Sequence, residues 1–168
     1  MRYCVIDFET TGLDPVADEV VEFAAVRVED GEIGLHIASL CKPSIPIPPG
    51  ATRIHGITGR MVRFADPFSD YLTSFLDFIG EDTLVGHNLS FDFGFLQTAC
   101  AHANVAYWPR KLCTLHMARK RFPQLPSHTL SAVARHLGVK SAQYHRALGD
   151  AMATAGILLR MLETDGRG

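Results

Sequence analysis

The chain has 168 residues, 47% of them hydrophobic and 20% charged, with a formal charge of −2; that length suits a single domain, 1–168, and that composition excludes disorder. Sixteen Lys and Arg against 18 Asp and Glu leave no basic surplus of the kind that coats duplex nucleic acid, although a small site gripping one strand end stays open. No apolar run approaches the roughly 20 residues of a membrane span. The amino terminus lacks a signal-peptide pattern, and four scattered cysteines without a C-x-x-C pair suggest reduced thiols in a cytoplasmic protein.

Residues 2–8 read as a strand buried on both faces. Strands over 19–29 and 32–41 follow, joined at Asp30-Gly31, a hairpin signal. The Pro-rich stretch from Pro43 to Gly50 reads as an extended connection. A helix fits 67–79, with Phe68, Leu72, Phe75, Leu76 and Ile79 at 3–4 spacing. A short strand at 83–86 precedes a helix at 91–103, for which Ser90 suits the N-cap. Residues 111–115 form an expected fifth strand, and 129–137 a helix stopped by Gly138. The last helix, 147–162, sets Leu148, Met152, Ala155, Leu159 and Leu162 on one stripe. Strands paired by a hairpin, then strands alternating with helices, predict an α/β fold with a mixed sheet.

Asp7 and Glu9 lie two apart in the first strand, so both side chains leave one face. Either the strand has ended and both are solvated in the Thr10-Thr11-Gly12-Leu13 turn, or they serve a hard divalent cation, which takes oxygen ligands. Asp92 and Asp150 each open a helix, where an acid also gains from the helix dipole. His145, just ahead of the last helix, alone reads as a solvated loop histidine. As a set these residues fall at strand carboxyl ends or helix amino ends, the edge where α/β sheets place their sites. Carboxylates gathered there would repel unless cations held them, and two divalent ions about 3.5–4 Å apart would clamp an in-line phosphoryl displacement.

Three segments, Asp7-Phe8-Glu9-Thr10-Thr11-Gly12-Leu13-Asp14, His87-Asn88-x-x-Phe91-Asp92-x-x-Phe95-Leu96 and His145-Arg146-Ala147-x-x-Asp150-Ala151, resemble the exonuclease motifs of the DEDD superfamily. Histidine stands five residues before the final Asp, as in the DEDDh (DnaQ-like) branch, and Arg146 occupies the place of the alternative tyrosine. Together with Ile54-His55-Gly56-Ile57-Thr58, the pattern looks most like the proofreading ε subunit of bacterial DNA polymerase III and its stand-alone relatives.

The resemblance covers residues 3–162 and implies an RNase H-like fold, a five-stranded mixed sheet flanked by helices. It implies a 3′→5′ exonuclease that uses two divalent ions, Mg²⁺ or Mn²⁺, and releases nucleoside 5′-monophosphates from single-stranded or frayed DNA. Asp7, Glu9 and Asp150 would hold the first ion, with Asp7 bridging to a second that Asp92 helps to hold. His145 would take the proton of the attacking water. Thr10, Thr11 and Gly12 would contact the terminal nucleotide, and Ile54, His55 and Asn88 would line its pocket. In the bland alternative Ile54 and Ile57 are core anchors with His55 solvated between them.

Two further expectations stand beside this one. The same chemistry could trim RNA 3′ ends, as in other branches of the family. The protein could also be a polymerase-docked proofreading subunit. The sequence shows no docking tail after the last helix and no clamp-binding peptide, so the chain is expected to act alone, to dock by its folded surface or to be part of a longer protein. Membrane partners are not expected.

Overall fold

The computed structural model describes residues 1–140 and 145–165. The chain runs β1 (Arg2–Thr10), β2 (Val20–Glu29), β3 (Glu32–Leu40), α1 (Pro49–His55), α2 (Gly59–Val62), α3 (Phe68–Ile79) and β4 (Thr83–Gly86). It continues through α4 (Leu89–His102), β5 (Lys111–Cys113), α5 (Thr114–Arg121), α6 (Leu130–His136) and α7 (Ala147–Asp165). The sheet order is β3-β2-β1-β4-β5. The first three strands are antiparallel neighbours, whereas β4 and β5 join in parallel with β1. Asp30 and Gly31 both take left-handed backbone, φ 52° and 84°, as a two-residue hairpin turn requires.

Strand alternation divides the core into two layers. Cys4, Ile6 and Phe8 pack with Phe23, Phe68 and Phe75, and rings of this group stand 5.1 to 5.5 Å apart, each such pair adding about 0.5–1.5 kcal/mol beyond area burial. Tyr3 and Val5 face the other way, onto Ala147, Ala151, Ala155 and Leu158 of α7. Asp7 and Glu9 are in phase with Tyr3 and Val5, so they too face α7.

The helix α7 differs from its sequence reading. Leu148, Met152, Leu159 and Leu162 are only half-buried, while alanines at four-residue spacing make the deepest contact with the sheet. Ile157 and Met161 pack on a third cluster with Ala118, Val133 and Ala134. Small side chains let the helix sit low on β1 and β2, and α5 and α6 cover its far side.

Three helices went unanticipated. The segment ending the Pro-rich connection folds as α1, with Pro49 at its first position where the missing N–H does no harm. The four-residue α2 follows. The third is α5, whose sequence Thr-Leu-His-Met-Ala-Arg-Lys-Arg has too few apolar residues to show a period. β5 accordingly stops at Cys113, not at residue 115. Ser90 is not a cap: α4 begins at Leu89, and Asn88 holds the cap position in the left-handed region at φ 72°, which Asn tolerates. No helix among the described residues is long and apolar enough to cross a membrane.

Candidate active site

Parallel pairing of β1 with β4 extends only from Tyr3 to Val5. Beyond Val5 the N–H groups on that edge of β1 need another acceptor, since a buried unpaired N–H is costly. Asp92 supplies it: its Oδ1 accepts the Phe8 N–H at 2.9 Å. An acid from the first turn of α4 is thereby fixed against the peptide between Asp7 and Glu9.

From the other face comes Asp150, in the first turn of α7. Asp7, Glu9 and Asp150 each offer an oxygen within 4.8 Å of the others. The Asp150 Oδ2 accepts the His145 N–H at 3.1 Å, whereas its Oδ1 is buried with no hydrogen-bond partner among the described residues. His145 is held at φ 60°, and it is exposed yet close enough to oppose in part the rise that burial causes in the Asp150 pKa. The neighbouring 141–144 lie outside the described residues.

The net shift of every carboxyl in this cluster is upward. Burial, followed by the charges of Asp92, Asp150, Glu9 and Glu22, drives the Asp7 carboxyl well above the usual range. Glu9 is pushed up to about 8 by burial and by Asp150, Glu22 and Asp92. Asp92 is raised by burial, against the Phe8 hydrogen bond. Burial also raises Asp150. Such a group must hold protons or bind cations. An all-oxygen set with one buried, unpartnered carboxylate oxygen fits a hard divalent ion.

A fifth acid was missed from the sequence. Glu22 sits directly across from Glu9 in the β1–β2 ladder and is buried. Its carboxylate takes two hydrogen bonds from Arg146 Nε, at 3.1 and 3.0 Å, and one from Arg146 Nη2 at 2.5 Å. The Ala147 N–H adds a fourth at 2.9 Å. An acid inside Val20-Val21-Glu22-Phe23-Ala24, an otherwise apolar stretch of β2, was the available signal.

The other expected positions surround this centre. Thr10 and Thr11 are buried, and their hydroxyls are occupied within the loop: Thr10 Oγ1 donates to the Gly12 carbonyl at 2.6 Å, and Thr11 Oγ1 to Asp18 at 3.0 Å. A Cβ at Gly12 would lie 2.3 Å from the Asp18 carboxylate, so the Asp18 side chain would have to move to admit one. Asn88 is exposed beside the α4 start, its Oδ1 accepting from Ser90 at 3.4 Å. His55 and Ile54 reverse the bland alternative. Ile54 is 63% exposed, and His55 is buried, with Nδ1 accepting the Ile57 N–H at 3.0 Å. Burial lowers the His55 pKa, partly offset by the Thr10 backbone and the charge of Glu22, so this ring lies against the loop that follows Glu9. Ile57 is fully buried.

Comparison with known proteins agrees with this geometry. A family model described as exonuclease matches residues 4–158. The PolC-type DNA polymerase III of Bacillus subtilis is 37% identical over 172 residues, covering 96% of this chain, and that of Thermotoga petrophila is 36% identical over 161. The chain spans only 11–12% of the length of these relatives. Among solved structures, Exonuclease X in complex with 5′ overhanging duplex DNA is 30% identical, with a TM-score of 0.81 over 98% of this chain and 93% of that one. Escherichia coli Exonuclease I in complex with a dT13 oligonucleotide is 21% identical, with a TM-score of 0.87 over 99% of this chain and 42% of that one, and it shares the RNase H-like fold. With the family model spanning nearly the whole sequence, and with acids from β1, α4 and α7 meeting at one sheet edge, the chain belongs to the exonuclease family, in its DnaQ-like branch.

Proposed function

We propose that the protein is a metal-dependent 3′→5′ exonuclease that releases nucleoside 5′-monophosphates from single-stranded or frayed DNA ends. The convergence of Asp7, Glu9 and Asp150 within 4.8 Å of one another, with Asp92 bonded to the intervening Phe8, carries the reading. In it, Asp7, Glu9 and Asp150 would hold one divalent ion, and Asp92 with Asp7 would help to hold a second. Two such ions, Mg²⁺ or Mn²⁺, supply charge stabilisation to an in-line displacement and acidify bound water. His145 accepts the proton of the attacking water, and the Asp150 carboxylate fixes the His145 backbone. The Thr10–Gly12 loop offers backbone groups to the terminal nucleotide, with His55, Ile54 and Asn88 around it. Similarity to Exonuclease X in complex with 5′ overhanging duplex DNA favours DNA over RNA as substrate.

A second reading concerns setting. Relatives in which this unit is part of a DNA polymerase III chain support a proofreading role beside a polymerase. The four cysteines are free, which suits a reducing cytoplasm. Matched DNA and RNA oligomers, each with Mg²⁺ or EDTA, test the activity: DNA should be shortened faster, only with metal. Faster loss of RNA would replace DNA by RNA as the substrate.

A further inference from the structure

The near-neutral total charge hides a sharp segregation. No Asp or Glu occurs between Asp92 and Asp150, a stretch holding eight of the 16 Lys and Arg and five of the eight histidines. All 18 acids lie outside it. This stretch folds as most of α4, β5, α5 and α6, so the asymmetry is spatial as well as sequential.

Packing gathers part of this charge near the acid cluster. His116, Arg119 and Lys120 are exposed on one side of α5, at the 3–4 spacing that shares a helix face. Phe122 and His136 meet ring to ring at 4.7 Å, which brings the end of α6, with exposed Arg135, to the end of α5. Among the described residues no carboxylate pairs with Arg119, Lys120, Arg135 or Lys140. The surface is tied to the β4–α4 corner through His87, whose Nδ1 bonds Thr114 Oγ1 and whose Nε2 bonds the His128 carbonyl, both at 2.9 Å. Arg119 is near enough to this corner for its charge to lower the His87 pKa. The whole of α5 is about 12 Å long at 1.5 Å per residue, so the cations begin within a few nucleotides' reach of Asn88 and Asp92.

We infer that the α5–α6 face, with Arg119, Lys120 and Arg135 at its centre, is a track for the phosphate backbone of the nucleic acid strand leading away from the acid cluster. The inference rests on the exonuclease reading for its substrate. It adds a surface that grips the strand by charge alone, without reading bases. Exposed, unpaired cations facing water release counterions from a polyanion when it docks, which makes the grip salt-dependent.

The test uses Lys120→Glu/Arg135→Glu, both at exposed positions, with thermal melting to confirm the fold. Binding of a fluorescein-labelled 20-nucleotide single strand is followed by anisotropy against salt, with Ca²⁺ replacing Mg²⁺ to suppress cleavage. Single-strand binding scales with salt with a slope of about −0.7 per phosphate neutralised, so losing two contacts should flatten the slope by about 1.4 and weaken binding about 25-fold at 0.1 M salt. An unchanged slope, or no binding by the native protein, overturns the track. Displacement of the strand by polyglutamate at equal charge concentration would assign the face to an acidic polypeptide and overturn it as well. A native protein that fails to cleave with Mg²⁺ yet shows the predicted slopes would sink the exonuclease reading and leave the track standing.

Discussion

Glu22 and Arg146 lock the start of α7 onto β2, with the Arg146 Nη2 to Glu22 Oε1 distance 2.5 Å. The pair joins residues 124 apart in sequence, and it neutralises the acid that faces Glu9 across the ladder. His145 and Asp150 flank this anchor in the chain, so their placement depends on it. Removing Arg146 leaves a buried carboxylate held, among the described residues, only by the Ala147 N–H. Arg146→Ala should therefore lose roughly 2–5 kcal/mol of stability in urea unfolding, as broken buried pairs do. Glu22→Gln/Arg146→Met, which removes both charges, should recover much of it. An Arg146→Ala protein as stable as the native one would show that the pair anchors nothing.

Asp7→Asn and Asp150→Asn should each abolish Mg²⁺-dependent cleavage while metal-free stability holds or rises. Each substitution relieves repulsion among the remaining acids. Thermal melting in EDTA and a nuclease assay on the same preparations check both halves, and substantial residual Mg²⁺-dependent cleavage in either variant would contradict the assignment.

The same acids set a pH dependence. Their folded-state pKa values are raised, with Glu9 at about 8 against about 4 for ordinary carboxylates. Between those values the native state holds more protons than the unfolded one, so the cluster's contribution to metal-free stability falls as pH rises from about 4 to about 8. A divalent ion replaces those protons. The stabilisation given by Mn²⁺ should therefore grow over the same range, which melting curves with and without Mn²⁺ at pH 5 to 8 would show; a metal effect independent of pH would exclude these carboxylates as its ligands.

His145→Ala should lose about 10²–10⁴-fold in rate, the usual worth of a positioned general base. Mn²⁺ affinity should be unchanged, because the acids are intact. Loss of Mn²⁺ binding in a calorimetric titration would make His145 a ligand instead.

For His55→Ala the expectation is several-fold weaker capture of a DNA end, read as a raised KM, with Mn²⁺ affinity as in the native protein. Its burial near Thr10 at the end of β1 gives it a supporting place there beside the proposed role in the pocket. Native kinetics in this variant would remove His55 from end recognition.

Much of this was legible in sequence because it is local. The two-residue period of β1 puts Asp7 and Glu9 on one face, and helix starts place Asp92 and Asp150. What was not legible is what the tertiary fold decides. Glu22 acquires its meaning from an arginine 124 residues away, just ahead of α7, and Asp92 from an N–H left unpaired where β4 ends. The alanines of α7 carry little hydrophobic signal, so the leucine stripe looked like the buried face although the sheet accepts only small side chains there. In α5 polar residues hid a helix, and summing charge over the whole chain hid the acid-free stretch from 93 to 149.

The most direct test of the central claim is a single-stranded DNA labelled at its 5′ end, incubated with the protein and Mg²⁺ and resolved on a sequencing gel. A 3′→5′ exonuclease should give a ladder of successively shorter labelled strands, with nucleoside 5′-monophosphates as the released product, and EDTA should abolish it. Immediate release of a labelled mononucleotide, discrete internal cuts, or a ladder that persists in EDTA would contradict the account.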